Sequence, residues 1–311
     1  VIDLPDIREA AEGLRGVALR TPLLRVPDLG DDVWLKLETE QPIGAFKIRG
    51  AYTAIRRMPP ARREQGVITY SSGNHGQAVA FAARRLGLRA VVVMPETAPA
   101  VKVEGVRRWG GEAVFAGRTS DDRQAKAEEL AARDGLAIVP PFDHADIVAG
   151  QATIALEILE DLPNLETVVV PVGGGGLIAG VVAGVAATGG RATVWGVEPV
   201  GAPKLERSLG AGAPVRLART QSLADGLITL TVGRVPFDTI QRHRERLGGV
   251  VLVDDDSLLH AVHYLYRECR LAVEPSGAAT TAAVRSGRLT PRGPTVLIVS
   301  GGNVDAALLK D

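Results

Sequence analysis

Seven short runs in this sequence are apolar almost throughout and rich in β-branched residues: VWLKLE, GVITY, AVVVMP, TVVVPV, ATVWGV, VVLVD and TVLIVS. A strand with one wet face alternates polar and apolar side chains, whereas a run without alternation is buried on both faces. Between the runs lie longer stretches with helical periodicity, such as GQAVAFAARRLG, DDRQAKAEELAARDG and DDSLLHAVHYLYREC. Parallel strands need a long crossover, and crossover helices cover the sheet faces. The repetition of strand, helix and strand therefore predicts an α/β chain built on open, mostly parallel sheets flanked by helices. At 311 residues the chain exceeds one minimal core, so one large or two medium domains are expected. The pair Pro140 and Pro141, ahead of FDHADIVAGQ, marks a crossing point between them.

Composition narrows the function. Basic and acidic residues balance, 36 against 36, whereas nucleic-acid and anionic-membrane partners select a basic excess, so neither partner is expected. No run of about 20 apolar residues is present to span a bilayer, and the sequence opens without a secretory leader pattern. Cys269 is the single cysteine, so no internal disulfide can form and a cytoplasmic setting is expected. It lies in AVHYLYRECRL, a helical stretch in which a thiol is packed and inert.

Ligands of such folds sit beyond the carboxyl ends of strands, where loops lead into helices. Four loops there have unusual composition. PVGGGGLIAG places Gly173, Gly174, Gly175 and Gly176 before an apolar helix. Without Cβ atoms their N–H groups can converge on one anion at the positive helix end, and a merely flexible turn would spend entropy for nothing. The loop lacks the GK[ST] of a P-loop, although Glu198, after ATVWGV, keeps a dinucleotide reading open. YSSGNHGQAV offers short polar side chains at a helix start, suited to a carboxylate or to ordinary capping. VSGGNVD puts Ser300 at a strand end, and VEPSGAAT puts Glu274 and Ser276 before a small-residue helix; either alone passes as plain chain termination and capping. Finally, only six of the 36 basic residues are lysine, and Lys47, in PIGAFKIRGA, stands between Phe46 and an apolar helical run. On a surface it is a solvated charge, but in an apolar pocket its amine becomes a nucleophile.

Together these motifs resemble the fold-type-II family of pyridoxal-5′-phosphate (PLP) enzymes, in its serine/threonine dehydratase and serine racemase branch. AFKIRGA matches the family's [SA]FK.RGA, SSGNHGQ its substrate-carboxylate loop, GGGGL its phosphate cup and SGGN the group facing the pyridine nitrogen. MPETAP, AGQATIALEI, GVEP, ADGL and VEPSGA fall in family order, and the resemblance runs from Thr21 to Asp305.

The resemblance implies a tryptophan synthase β-like fold, with residues 1–51 plus 147–311 as the large cofactor-binding domain and 52–146 as the small one. It implies that Lys47 condenses with the cofactor aldehyde and, once displaced, is the base for the substrate α-proton. The four loop glycines would cradle the phosphate, with Phe46, Asn74, Leu177, Glu274 and Ser300 completing the cofactor contacts. Ser71, Ser72, Gly73, Asn74 and His75 would hold the substrate carboxylate, His75 mostly through its backbone. Ser72 is also a second proton donor in racemase-like relatives. Phe142 stands where animal serine racemases have a polar residue, and an apolar wall there suits a substrate methyl group. Because Ser300 is neutral, it leaves the ring nitrogen mostly unprotonated and favours expulsion of a β-substituent over transamination.

The implied reaction is β-elimination, of L-threonine to 2-oxobutanoate and ammonia and of L-serine to pyruvate. Racemisation, dehydration of 3-hydroxyaspartate and binding without turnover remain as alternatives. β-Replacement ranks below them, since those relatives usually carry a threonine where this chain has His75. Many relatives bind a divalent cation through the Glu of GVEP, a carbonyl four residues on and an acid six residues on. Here those positions are Glu198, Ala202 and Lys204, so the expectation is no metal, with Lys204 paired to Glu198 in its place. A homodimer without an isoleucine-sensing domain completes the implied picture.

Overall fold

The computed structural model describes residues 2–71, 73–98 and 100–310. Among them ten strands form two sheets. In chain order they are β1 (Leu23–Arg25), β2 (Val33–Leu37), β3 (Val67–Thr69), β4 (Ala90–Met94), β5 (Glu112–Phe115), β6 (Ala137–Ile138), β7 (Thr167–Pro171), β8 (Thr193–Pro199), β9 (Leu247–Val253) and β10 (Thr295–Val299). The larger sheet has the order β1-β2-β10-β7-β8-β9 and the smaller β5-β4-β3-β6. Every pairing is parallel except β1 on β2.

The helices are α1 (Leu4–Gly13), α2 (Lys47–Arg57), α3 (Pro60–Arg63), α4 (Asn74–Arg85), α5 (Ala100–Arg108) and α6 (Ser120–Asp134), then α7 (Ala145–Asp161), α8 (Gly176–Ala187), α9 (Lys204–Ala211), α10 (Arg234–Arg242), α11 (Asp255–Arg267) and α12 (Pro275–Arg285). Local chemistry sets their ends. Thr119 and Asp122 form a reciprocal capping box at the start of α6, and Gly135, left-handed at φ 69°, stops it.

The unbroken apolar runs are explained by two buried faces. On β7, Val168 and Val170 face a core shared with α7 and α8, while Val169 faces α11 and α12. In the smaller sheet Val67 joins α2 and α4 on one side, and Ile68 joins α6 on the other. The seven anticipated strands are all present. β1, β5 and β6 carried no such signal, because two of them are half exposed and β6 is two residues long. The chain leaves the smaller sheet after Ile138, passes Pro140 and Pro141, and enters α7. α7 lies so close to α2 that a Cβ at Gly150 would stand 2.5 Å from the Arg49 carbonyl oxygen.

Candidate active site

The carboxyl ends of β7 and β10 lie side by side in one sheet, and those of β3 and β6 in the other. The glycine tract leaves β7, the SGGN loop leaves β10 and the SSGN loop leaves β3, whereas VEPSGAAT, expected at a strand end, instead joins α11 to α12, and the Lys47 segment follows β2. Lys47 opens α2, at whose start its half-buried Nζ donates to the Pro141 carbonyl at 2.8 Å and lies 5.3 Å from the centre of the Phe46 ring. Loss of hydration brings its pKa down to about 8. Lys36 and Lys204 are buried more deeply, but they are paired with Glu157 and Glu198. Among the described residues Lys47 donates to a neutral carbonyl and has no carboxylate partner, so no opposite charge offsets its desolvation.

The polar loop leads into α4, whose N-cap is Gly73 with no side-chain cap. Asn74 points elsewhere: its Nδ2 donates to Glu274 at 2.5 Å, and its Oδ1 accepts from Asn303 at 2.7 Å. Glu274, the N-cap of α12, likewise makes no cap bond. Burial, with Asp225 nearby, raises its carboxyl to about 7, against the hydrogen bond from Asn74. Next to it, Ser300 is buried at the end of β10, and its carbonyl accepts from Phe46 N at 3.0 Å. That bond and the bridge from Ala45 to Gly301 tie the Lys47 segment to the SGGN loop. His75 is buried, with Nε2 3.2 Å from the Val139 carbonyl; desolvation and Lys47 lower it to about 3, so it stays neutral. Ser71 and Gly73 flank the same helix start, and Ser72 lies outside the described residues.

Each glycine of the tract is hemmed in by neighbours. A Cβ at Gly173 would stand 2.6 Å from the Gly226 carbonyl oxygen, one at Gly174 2.2 Å from the Phe142 ring, and one at Gly175 2.6 Å from Val232. Gly175 also has φ 89° and caps α8 without a side-chain bond, so among the described residues no side chain caps the start of α8 at Gly176 and Leu177. The result is a cradle of backbone donors at the positive end of a helix. Phe142 thus sits over the glycine cradle.

Behind the cradle, Glu198 and Lys204 are fully buried. Lys204 Nζ donates to Glu198 at 3.0 Å, to the Val172 carbonyl at 2.9 Å and to the Ala202 carbonyl at 3.1 Å. Glu198 also accepts from Leu205 N and Glu206 N at the start of α9. No cluster of metal-ligating side chains occurs among the described residues. Cys269 is half-buried, with its thiol pushed up by burial, as befits a packed residue.

Sequence reasoning missed several partners. Arg49 is buried among Glu38, Glu157 and Thr153, with Lys36 on the same Glu157, and this network fixes the turn after Lys47. Asn303 and Asp225 stand in quoted motifs, SGGN and ADGL, but received no role. The Pro141 and Val172 carbonyls have no side-chain signal at all.

The sequence matches the family described as pyridoxal-phosphate dependent enzyme over residues 14–301. The chain belongs to this family. It is 38% identical over 314 residues to an L-threo-3-hydroxyaspartate ammonia-lyase of a Pseudomonas species, covering 98% of both chains. It is 36% identical to the L-threonine ammonia-lyase of Thermotoga maritima, covering 99% of this chain and 77% of that one. The structure of maize serine racemase superposes with a TM-score of 0.93 at 34% identity, covering 99% and 95%. This is the ammonia-lyase and racemase branch of the PLP-dependent enzymes. The cofactor fits what the residues offer: an amine of depressed pKa for an aldehyde, a cradle only glycine can form for a phosphate, and a neutral buried hydroxyl at the adjacent strand end.

Proposed function

We propose that the chain is an ammonia-lyase acting on β-hydroxy amino acids, converting L-threonine to 2-oxobutanoate and ammonia and L-serine to pyruvate and ammonia. The observation that carries the reading is Ser300, a neutral hydroxyl at the end of β10 and one bond away from the Lys47 segment. PLP, when bound, supplies a ring that delocalises charge from the substrate Cα. A neutral partner limits that charge, so the β-hydroxyl is expelled as the α-proton leaves.

The chain's own residues have separable tasks. Lys47 takes the α-proton: a pKa of about 8 gives roughly three hundredfold more neutral amine at pH 7 than an ordinary lysine. The Pro141 carbonyl aims that amine, and neutral His75 adds no competing charge. Gly173 to Gly176 hold the cofactor's phosphate, and Ser71 to His75 hold the substrate carboxylate. Loss of the α-proton and hydroxide releases water; adding a water to the resulting unsaturated amine releases ammonia and leaves the 2-oxo acid. Lys204 supplies, from within the chain, the positive charge that a metal ion would bring to Glu198 and the Ala202 carbonyl. A cytoplasmic homodimer is part of the same reading.

The likeness to serine racemases supports a second reading, in which the α-proton is returned on the opposite face. One experiment separates them. The holoenzyme is incubated with L-threonine, L-serine and L-threo-3-hydroxyaspartate, and 2-oxo acid, ammonia and enantiomer content are measured. Equal amounts of 2-oxo acid and ammonia are expected; recovery of mixed enantiomers without 2-oxo acid would overturn the lyase reading.

A further inference from the structure

Beside the candidate site lies a charge pair that the chemistry above does not use. Asp225 opens a short helical turn, Asp225–Leu227, that touches the site on two sides. Gly226 N donates to Ser276 Oγ at 2.9 Å in the first turn of α12, next to Glu274. The Gly226 carbonyl oxygen closes over Gly173 of the phosphate cradle. From the opposite side, α5 of the smaller sheet's layer sends Lys102 across to pair with Asp225. Both side chains remain open to solvent, at 26% and 50%. An ion pair so exposed contributes little to stability. Its effect on what binds beside it is larger, because an unpaired ammonium there attracts a second carboxylate and a paired one does not.

We infer that Asp225 sets the charge preference of the substrate side chain: by holding Lys102 it cancels an ammonium beside the site, so the site favours β-hydroxy amino acids with neutral side chains over β-hydroxy dicarboxylates. This rests on the lyase reading and names its substrate class. Freeing Lys102 gives the distal carboxylate of 3-hydroxyaspartate a partner that threonine's methyl group cannot use. Asp225 and Lys102 also both act on the Glu274 carboxyl, in opposite directions, which places the pair within electrostatic reach of the pocket wall.

The test compares L-threo-3-hydroxyaspartate with L-threonine in holoenzyme variants. The readouts are the ratio of kcat/KM values and the ratio of dissociation constants, the latter followed by cofactor absorbance. Asp225→Asn is expected to raise preference for the dicarboxylate about tenfold in both ratios. Adding Lys102→Gln should return it to the parent value, and Asp225→Glu should leave it low. Asp121→Asn is the control, since it breaks another exposed cross-layer pair, to Arg216. Unchanged ratios in Asp225→Asn, an equal shift in Asp121→Asn, or a double variant that keeps the new preference would each overturn the inference. Because binding is read without turnover, a chain that binds both amino acids but releases no 2-oxo acid defeats the lyase reading alone. The absence of any spectral response to either amino acid would contradict both.

Discussion

Lys47 and Glu274 hold their protons unusually, and in opposite senses. Lys47 gives up its proton early because it is desolvated without a counter-charge, whereas Glu274 keeps its proton late, near pH 7, for the same reason and because Asp225 is close. The consequence for stability follows from linkage. Between pH 4.5 and about 7 the folded chain retains a proton on Glu274 that the unfolded chain has lost, so stability falls as pH rises through this window. In cofactor-free protein, Glu274→Gln should therefore shrink the drop in Tm between pH 5 and pH 8. An identical drop in the variant would show that Glu274 titrates normally. Residues of this kind were partly legible. Lys47 stood out locally, with an aromatic before it and an apolar helix after it, but that pattern also fits a solvated surface lysine, and its expected role came from the family motif. The bond from Asn74 to Glu274 was not legible, because the two are 200 residues apart and each passes locally as a cap.

At the scale of elements, the glycine tract shows how a loop is shaped by what surrounds it. The sequence showed that Cβ atoms are missing, not what fills the space. The structure fills it with the Phe142 ring, Val232 and the Gly226 carbonyl. The contact at Gly173 is with backbone, which has nowhere to go, so Gly173→Ala should move the cradle against the Asp225–Leu227 turn. Cofactor affinity is expected to fall at least about tenfold, with a much smaller change at Gly174, where only a side chain must turn. Equilibrium titration of each apoprotein variant with PLP, followed by absorbance, checks the order; equal losses at both positions would contradict it. Strands behaved similarly. Six of the seven visible as unbroken apolar runs are largely buried and the seventh, the edge strand β9, is only partly so, whereas β1, β5 and β6 are short or exposed and lacked the pattern.

At the scale of the molecule, segments from both sheets contribute to the candidate site, and a buried pair, Lys204 with Glu198, lies behind it. Lys204 lies between Glu198 and the carbonyls of Val172 and Ala202, directly behind the cradle. Removing one partner of a buried pair leaves the other charge uncompensated, so Lys204→Met should cost about 3 kcal/mol or more. The parent protein should keep its Tm and activity in a chelator; a loss restored by Mg²⁺ would show that a metal is needed after all. The charge reversal at position 204 was visible in the sequence, but its third acceptor, Val172, was not, because a backbone carbonyl carries no residue-type signal. The account as a whole depends on Lys47 forming the covalent bond to PLP. The most direct measurement is borohydride reduction of the reconstituted protein followed by peptide mass mapping. A pyridoxyl adduct on Lys47, absent from Lys47→Ala, is expected; an unmodified Lys47, or an adduct on another lysine, would contradict the account.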